Sequence, residues 1–367
     1  MLRKSLWGFS WGGLKQDHQI LLPGHTGIWQ GASQRHNAGP TRLQSRTCFR
    51  ASLSSATPSG VVVTGASKGL GFALAQEFLK QGDNLVICSR TQEGVDKAVA
   101  SLRGLENASG GRVHGLKCNV GAAEDVEKLS VFAQEKLGTV HIWLNNAGQV
   151  TSKRLLADVP IDEIQSAVSC NVLGSLFGSR AAVQLMREQP GAREGPPQYH
   201  ILNFGFTDFG VKNTKSATTH KATKSSLMWL TRALLDELKE AGLLGIGVHN
   251  CSPGMVLTDL LLKDSTPSAR RFFNALAEEP ETVAAGLVPK IKELSLRDAS
   301  VNYLTPFGAV SKIVTGLPQI VQGGRFFDKE GKRVQQPGAE YAENGVRVQL
   351  SEKVSAPELH EERTQVY

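Results

Sequence analysis

Short apolar runs alternate with stretches of helical period from Gly60 onward, and this alternation limits the possible folds more than any other feature of the chain. The apolar runs are GVVVT, NLVICSR, RVHGLKCNV, VHIWLNNAG, YHILNFG and IGVHNCSPG. Strands separated by helices of this length form parallel βαβ units, whose ligands bind at the carboxyl ends of the strands. The sequence therefore predicts an α/β fold built on a doubly wound parallel sheet.

The segment TGASKGLG (residues 64–71) lies between the first predicted strand and the first predicted helix. Gly65 allows a tight turn, Gly69 lets the backbone approach a phosphate, and Gly71 lets the helix pack on the sheet. The free N–H groups at the start of the helix then face a pyrophosphate. A glycine-rich turn without a ligand is the alternative, but the flanking strand and helix favour a Rossmann-like dinucleotide site. Its predicted residues are Gly65, Ser67, Lys68, Gly69, Leu70 and Gly71.

Arg90 ends the second predicted strand, where an acidic residue would bind the ribose hydroxyls of NAD. An Arg at that position, with Lys68 inside the glycine-rich turn, offers two cations to a 2′-phosphate. The sequence therefore predicts NADP(H) as the cofactor. A solvated Arg at the end of a strand is the alternative.

Residues 1–60 carry most of the net charge of +7, with seven Lys or Arg and one Asp. The rest of the chain is close to neutral and offers no basic stripe to nucleic acid. A leader that is rich in Arg and Ser and poor in acidic residues predicts an organellar transit peptide, and we expect the residues before about Ser54 to be removed on import. A disordered N-terminal extension is the alternative. Composition leaves chloroplast and mitochondrion open.

The remaining composition indicates a globular chain without metal or disulfide chemistry. The five Cys are scattered, without a C-x-x-C pair or a His cluster at ligand spacing, so we expect no metal site. No apolar run reaches the ~20 residues of a membrane-spanning helix. We therefore expect a soluble or peripheral mature protein.

Five motifs resemble, in order, those of the short-chain dehydrogenases/reductases over roughly residues 60–265. They are TGASKGLG, NNAG (145–148), CNVLGS (170–175), the Lys of HKATKSS, and SPGMVLT (252–258). The resemblance implies a cofactor ribose beside Asn146, Ala147 and Gly148, and an adenine beside Asn119 and Val120, although the family more often has Asp at position 119. It implies a nicotinamide carboxamide beside Pro253, Gly254, Val256 and Thr258.

The resemblance also implies a proton donor, a Tyr four residues before a Lys, with a Ser that binds the carbonyl oxygen. Lys224, expected to bind the nicotinamide ribose, and Asn171, expected to hold a water, match the family pattern. The Tyr position is occupied by His220, and the segment NFGFTDFG has no Ser. Thr207, thirteen residues before His220, is the expected substitute.

Two physical objections weigh against His220 as the proton donor. The positive charges of Lys224 and of oxidised nicotinamide disfavour an imidazolium, so His220 should be neutral and a poor acid. An imidazole also reaches roughly 2 Å less far than a phenol, and a displacement of ~1 Å can cost ~100-fold in rate unless a water bridges the gap. Reduced activity and no activity both remain open.

Two longer segments, LGFALAQEFLKQGDNLVICSR and FFNALAEEPETVAAGLVPKIKEL, are similar to those of the chlorophyll(ide) b reductases of the non-yellow-coloring-like kind. This narrower resemblance implies a chloroplast protein, in the stroma or on the stromal face of the thylakoid. It implies that NADPH reduces the formyl group of chlorophyll b or chlorophyllide b to hydroxymethyl. The apolar segment 301–327 would cover the pigment or touch the membrane, with packing on the sheet as the alternative.

A second class of function stays open because of His220. The chain could be a weakly catalytic or inactive subunit that binds cofactor and pairs with an active paralogue. We expect a homo- or hetero-oligomer, with a light-harvesting complex as a further possible partner.

These expectations divide the chain into four parts. They are a leader (1–57), a Rossmann-like NADP-binding reductase domain (58–265), a C-terminal helical substrate-lid extension (266–345) and a disordered tail (346–367).

Overall fold

The structure is a computed structural model that describes residues 58–213 and 216–353. The predicted leader and its processing lie outside the described residues, as do residues 354–367 of the predicted tail. Those expectations therefore stay predictions.

A seven-stranded, all-parallel sheet forms the centre of the fold, in the order β3-β2-β1-β4-β5-β6-β9. The order reverses between β1 and β4, as it does in doubly wound sheets. This confirms the predicted α/β class. The strands are β1 (Gly60–Thr64), β2 (Asn84–Ser89), β3 (Val113–Lys117), β4 (Ile142–Asn145), β5 (Tyr199–Phe204), β6 (Ile246–Ser252) and β9 (Ser300–Asn302), with β7 (Met255–Val256) and β8 (Ala277–Glu278) in a separate parallel pair.

Helices follow the strands and cover both faces of the sheet. In the sheet domain they are α1 (Gly69–Lys80), α2 (Gln92–Ser109), α3 (Ala123–Leu137), α4 (Ile161–Val168), α5 (Gly174–Met186), α6 (Asp208–Asn213) and α7 (Thr218–Glu240), with a 3₁₀ turn at Leu156–Asp158 and a π turn at Ser169–Leu173. Beyond it they are α8 (Asp259–Leu262), α9 (Pro267–Leu276), α10 (Pro280–Lys292), α11 (Pro306–Thr315), α12 (Leu317–Gln322) and α13 (Leu350–Lys353). The π turn joins α4 to α5, so that residues 161–186 form one helical stretch.

Successive side chains of β1 point to opposite faces of the sheet and pack into two separate hydrophobic cores. Val61 and Val63 pack with residues of α1, α2 and α10 on one face, whereas Val62 packs with residues of α3, α5 and α7 on the other. Every residue of β1 is buried, as expected for a central parallel strand covered on both sides.

The region after α8 is mainly helical and is stabilised by ion pairs whose carboxylates are buried. Glu278 pairs with Lys312 and Arg325, and Glu279 pairs with Arg333. The structure also gives residues 346–353 a defined conformation, ending in α13, although the sequence places them in a disordered tail. Buried hydrogen bonds of Gln349, described below, account for this difference.

No helix among the described residues has both the length and the apolar character needed to cross a bilayer.

Candidate active site

The carboxyl ends of β1 and β4 meet at the point where the strand order reverses, and the glycine-rich turn and NNAG lie there in direct contact. A Cβ on Gly65, whose φ is +66°, would come within 2.8 Å of Ala147 Cα. A Cβ on Gly71 would come within 2.3 Å of the Gly65 carbonyl oxygen and 2.5 Å of Asn146 Nδ2. Both positions therefore require glycine, as the sequence pattern predicts.

Thr64 joins the two segments by hydrogen bonds. Its Oγ1 accepts from the N–H groups of Asn146 (3.0 Å) and Ala147 (3.1 Å), while Asn146 Nδ2 donates to its carbonyl oxygen (2.9 Å). The predicted ribose residues are therefore held against the predicted phosphate turn. One dinucleotide can contact both.

The ends of β2 and β3 contribute the residues expected at the adenosine. Ser89 Oγ donates to Ser67 Oγ (3.0 Å), which places the end of β2 beside the glycine-rich turn. Arg90 is exposed, and its Nη1 lies 3.4 Å from Gln149 Oε1. Asn119 accepts the Gly121 N–H (3.2 Å) and forms part of the turn after β3, next to the buried Val120.

Lys68 is engaged by a partner that sequence reasoning missed. Its ammonium pairs with Asp259, at the start of α8. Burial acts to raise the pKa of Asp259, but hydrogen bonds from Lys68 and Asn344 outweigh it and hold that pKa below its usual range. Asp259 thus compensates part of the positive charge that Lys68 would offer to a 2′-phosphate. We therefore expect Arg90 to contribute more than Lys68 to any preference for NADP.

The loop after β6 closes the other side of the turn. Gly254 has φ +74°, and β7, with Val256, pairs with β8. The methyl group of Thr258 lies 3.3 Å from where a Cβ on Gly69 would stand. The residues expected at the carboxamide therefore lie next to those expected at the pyrophosphate.

Lys224 occupies the centre of the candidate site. Its side chain projects from α7, is 7% exposed, and donates to the Phe204 carbonyl oxygen (2.8 Å). Burial lowers the pKa of Lys224 to about 8. A Cβ on Gly148 would stand 3.3 Å from Lys224 Nζ, so the amine lies against the NNAG segment, where the family resemblance implies a cofactor ribose.

Asn171 lies in the π turn between α4 and α5. Its Oδ1 accepts the Gln149 N–H (2.8 Å), and its Nδ2 donates to the Gln149 carbonyl oxygen (2.9 Å) and to Thr223 Oγ1 (3.0 Å). π turns inside helices are frequent at functional sites. Asn171 and Thr223 thus connect the NNAG loop to α7. In the sequence, this link is indicated only by the position of Gln149 directly after NNAG.

His220 lies one helical turn before Lys224 and is 9% exposed. Burial, and then the charge of Lys224, lower the pKa of His220 to about 4, an effect that the Gln149 backbone offsets only in part. The ring packs edge-on against Phe206 at 5.4 Å between centroids, and its Nδ1 has no hydrogen-bond partner among the described residues. His220 is therefore neutral near pH 7, as the sequence argument expects.

Thr207 lies between β5 and α6, directly before the first residue of α6. Its Oγ1 accepts the Gly210 N–H (3.0 Å), which is the bond of a helix N-cap. Residues 214 and 215, between α6 and α7, lie outside the described residues. The role of Thr207 as a donor to a carbonyl oxygen stays a prediction.

This arrangement defines a Rossmann-like oxidoreductase that binds a nicotinamide cofactor. The family model for short chain dehydrogenases matches residues 59–268, and the chain belongs to that family.

Two relatives from Arabidopsis thaliana point to a narrower group. "Probable chlorophyll(ide) b reductase NYC1, chloroplastic" is 36% identical over 85% of this chain, and "Chlorophyll(ide) b reductase NOL, chloroplastic" is 37% identical over 74%. The chain spans 63% of the length of the first and 78% of the second. These matches confirm the resemblance seen in the sequence.

Solved structures agree with the fold. The 3-ketoacyl-(acyl-carrier-protein) reductase from Brucella melitensis, complexed with NADH, has a TM-score of 0.55 at 23% identity and covers 66% of this chain and 95% of its own. The alcohol dehydrogenase from Thermococcus sibiricus, complexed with 5-hydroxy-NADP, has a TM-score of 0.54 at 21% identity and covers 67% of this chain and 97% of its own.

Proposed function

We propose that this protein uses NADPH to reduce the formyl group of chlorophyll b or chlorophyllide b to hydroxymethyl. The observation that carries the proposal is the similarity to chlorophyll(ide) b reductases over most of the chain. The buried Lys224, placed against the NNAG segment, supports a working nicotinamide site at the same place. The names of those relatives also support a chloroplast location. Within the chloroplast, we propose the stroma or the stromal face of the thylakoid.

The residues of the cleft fit such a cofactor. Arg90 and Lys68 would bind its 2′-phosphate, the start of α1 its pyrophosphate, Lys224 and the NNAG segment its ribose, and the loop after β6 its carboxamide. When bound, NADPH supplies the hydride that the formyl carbon receives. The chain must then deliver one proton to the formyl oxygen.

Proton delivery is the demanding step for this chain. His220 is neutral, so its ring can hydrogen-bond the formyl oxygen or a water but is a weak acid. Lys224, with a pKa of about 8, is the stronger acid at neutral pH and lies one helical turn away. We infer that Lys224 gives up the proton and that a water beside His220 Nδ1 passes it to the formyl oxygen. Solvent then returns a proton to Lys224.

An apolar stripe on α11 and α12 fits a lipophilic substrate. Phe307 is 84% exposed, and further exposed apolar side chains recur every three or four residues through the two helices. They are Val310, Val314, Leu317 and Val321. No Asp or Glu occurs between residues 300 and 327. We propose that this stripe contacts the pigment or the thylakoid surface.

The second candidate function is a subunit that binds the cofactor with little or no turnover. The neutral His220 and the capping role of Thr207 favour it. Such a subunit would assemble with an active paralogue and regulate or stabilise it.

One assay separates the two. Purified protein is mixed with NADPH and chlorophyllide b, and the absorption band of the formyl-bearing pigment is followed, with NADH as the comparison. We expect the band to decline faster with NADPH than with NADH. Bound NADPH without turnover would support the partner subunit, and failure to bind either cofactor would contradict both candidates.

A further inference from the structure

The side-chain amide of Gln349 joins the C-terminal part of the chain to the glycine-rich turn, 280 residues earlier in sequence. Its Oε1 accepts the Gly69 N–H. Its Nε2 donates to the Gly69 carbonyl oxygen (3.1 Å) and to Glu281 Oε1 (3.0 Å). The residue is 6% exposed. One buried amide thus binds both backbone groups of a single residue of the turn.

Gly69 is the residue at which the turn becomes a helix. It has φ +64°, in the left-handed region, and is the first residue of α1. Its N–H is one of the amides that have no partner within the helix, and Gln349 satisfies it. Because the peptide planes on both sides of Gly69 are held, the following N–H groups of Leu70 and Gly71 have a fixed direction toward the place expected for a pyrophosphate.

Gln349 belongs to a segment with a structure of its own, residues 340–353, which we call the C-terminal strap. Tyr341 and Arg347 form an antiparallel bridge, and Arg333 stacks on the Tyr341 ring (4.4 Å). Ser101 Oγ, on α2, donates to the Leu350 carbonyl oxygen (3.1 Å). The strap is therefore anchored independently of Gln349.

The strap reaches the turn at a second point. Asn344 Nδ2 donates to Asp259 Oδ1 (2.7 Å), and the other oxygen of Asp259 pairs with Lys68. Lys68 and Gly69 are adjacent, so two consecutive residues of the turn are held from the strap, one directly and one through Asp259. The strap lies beyond residue 268, where the match to the family model ends.

We propose that Gln349 is a positioning residue for the dinucleotide: it sets the conformation of the glycine-rich turn, and through it the affinity for the cofactor pyrophosphate. The proposal rests on the proposed nicotinamide site but not on the pigment substrate. Gln349 faces the turn rather than the 2′ end of the cofactor, so it acts alike on NADPH and NADH.

The test measures cofactor binding by calorimetry and amide exchange by mass spectrometry, without substrate. Gln349→Met keeps the length of the side chain and removes the side-chain hydrogen bonds to Gly69 and Glu281. We expect the Kd values of NADPH and NADH to rise by the same factor, about tenfold, because a buried backbone donor and acceptor lose their partner. Exchange should rise in residues 64–71 and stay unchanged in the strap. Lys353→Met is the matched control, since it removes an exposed ion pair with Glu340 from the same strap and should alter neither readout.

Three results would overturn the proposal. The first is an unchanged Kd for both cofactors despite faster exchange in the turn. The second is tighter cofactor binding by the variant, which would mean that the amide occupies the place of the phosphate. The third is faster exchange throughout the strap, which would indicate a structural role. Gln349→Asn, shorter by one methylene, carries the same test if Gln349→Met does not fold. Failure of the proposed function looks different, because wild-type protein would then bind NADPH without reducing the pigment.

Discussion

The cofactor half of the cleft, at the ends of β1, β2 and β4, is held by contacts that leave almost no room for substitution. The proton-donor half, at α7 and the loop after β5, lacks two of the polar groups that its family uses. In the first half, Gly65, Gly71 and Asn146 touch one another. In the second, His220 has an unpartnered ring nitrogen and Thr207 caps a helix. From this difference we expect substitutions in the proton-donor half to change turnover more than they change cofactor affinity.

A pair of histidines elsewhere in the sheet makes the state of His220 clearer. His200, on β5, and His249, on β6, are buried and joined by a 2.9 Å contact between Nδ1 and Nε2. Burial lowers the pKa of His200 to about 4 and that of His249 to about 3, and His249 Nδ1 accepts the Ala299 N–H (3.1 Å). Burial is therefore enough to keep a histidine neutral, but these two rings are hydrogen-bonded to each other and to the Ala299 N–H. His220 differs from this pair because its Nδ1 has no hydrogen-bond partner among the described residues.

The largest expected effect follows from Lys224, the residue that the two halves share. Lys224→Ala should abolish turnover and weaken NADPH binding by at least about tenfold, because it removes a charged hydrogen-bond donor from the ribose site. Calorimetry and the pigment assay measure the two effects. The NADPH affinity of the wild type should fall as the pH rises through about 8, where Lys224 loses its proton, and this dependence should disappear in the variant.

Lys221→Ala, on the same helix one turn earlier, is the matched control and should leave affinity and turnover unchanged. Normal NADPH binding by Lys224→Ala would contradict the placement of Lys224 at the ribose. The two halves would then be independent even at this residue.

Sequence reasoning reached the cofactor half more fully than the rest, for physical reasons. Alternating strands and helices, and glycines required by close backbone contact, leave local patterns. The seventh strand, β9, has only three residues, too few for a period to be visible. The ion pair of Lys68 with Asp259 and the bonds of Gln349 to Gly69 join residues 191 and 280 positions apart. No local pattern records such contacts, so they require the folded structure.

The next effect tests the proton-donor half alone. His220→Tyr should raise kcat by about 10- to 100-fold, since a phenol restores both the reach and an acidic proton beside Lys224. NADPH affinity should change little, because Lys224 keeps its contacts.

His220→Phe fills the same space without a hydroxyl and is the control for packing. Equal activation by Phe would attribute the gain to packing. A wild type already faster than His220→Tyr would show that imidazole is the working acid. An inert His220→Tyr variant that still binds NADPH would make the missing Ser equivalent the deeper defect and would favour the partner-subunit function.

The smallest expected effect sharpens the cofactor half and concerns Arg90. Arg90→Asp should reduce or reverse the preference for NADPH, with a change of about tenfold in the ratio of the two Kd values, because a cation for the 2′-phosphate becomes an acceptor for ribose hydroxyls. The effect is modest because Arg90 is exposed and its interactions are screened. Arg112→Asp makes the same charge change just before β3, at the amino ends of the strands and away from the predicted cofactor site, and should leave the ratio unaltered. If the ratio stays the same in Arg90→Asp, Arg90 is solvated and the preference depends on Lys68. Because Asp259 pairs with Lys68, Asp259→Asn would then free the charge of Lys68 for the 2′-phosphate and raise the affinity for NADPH relative to that for NADH.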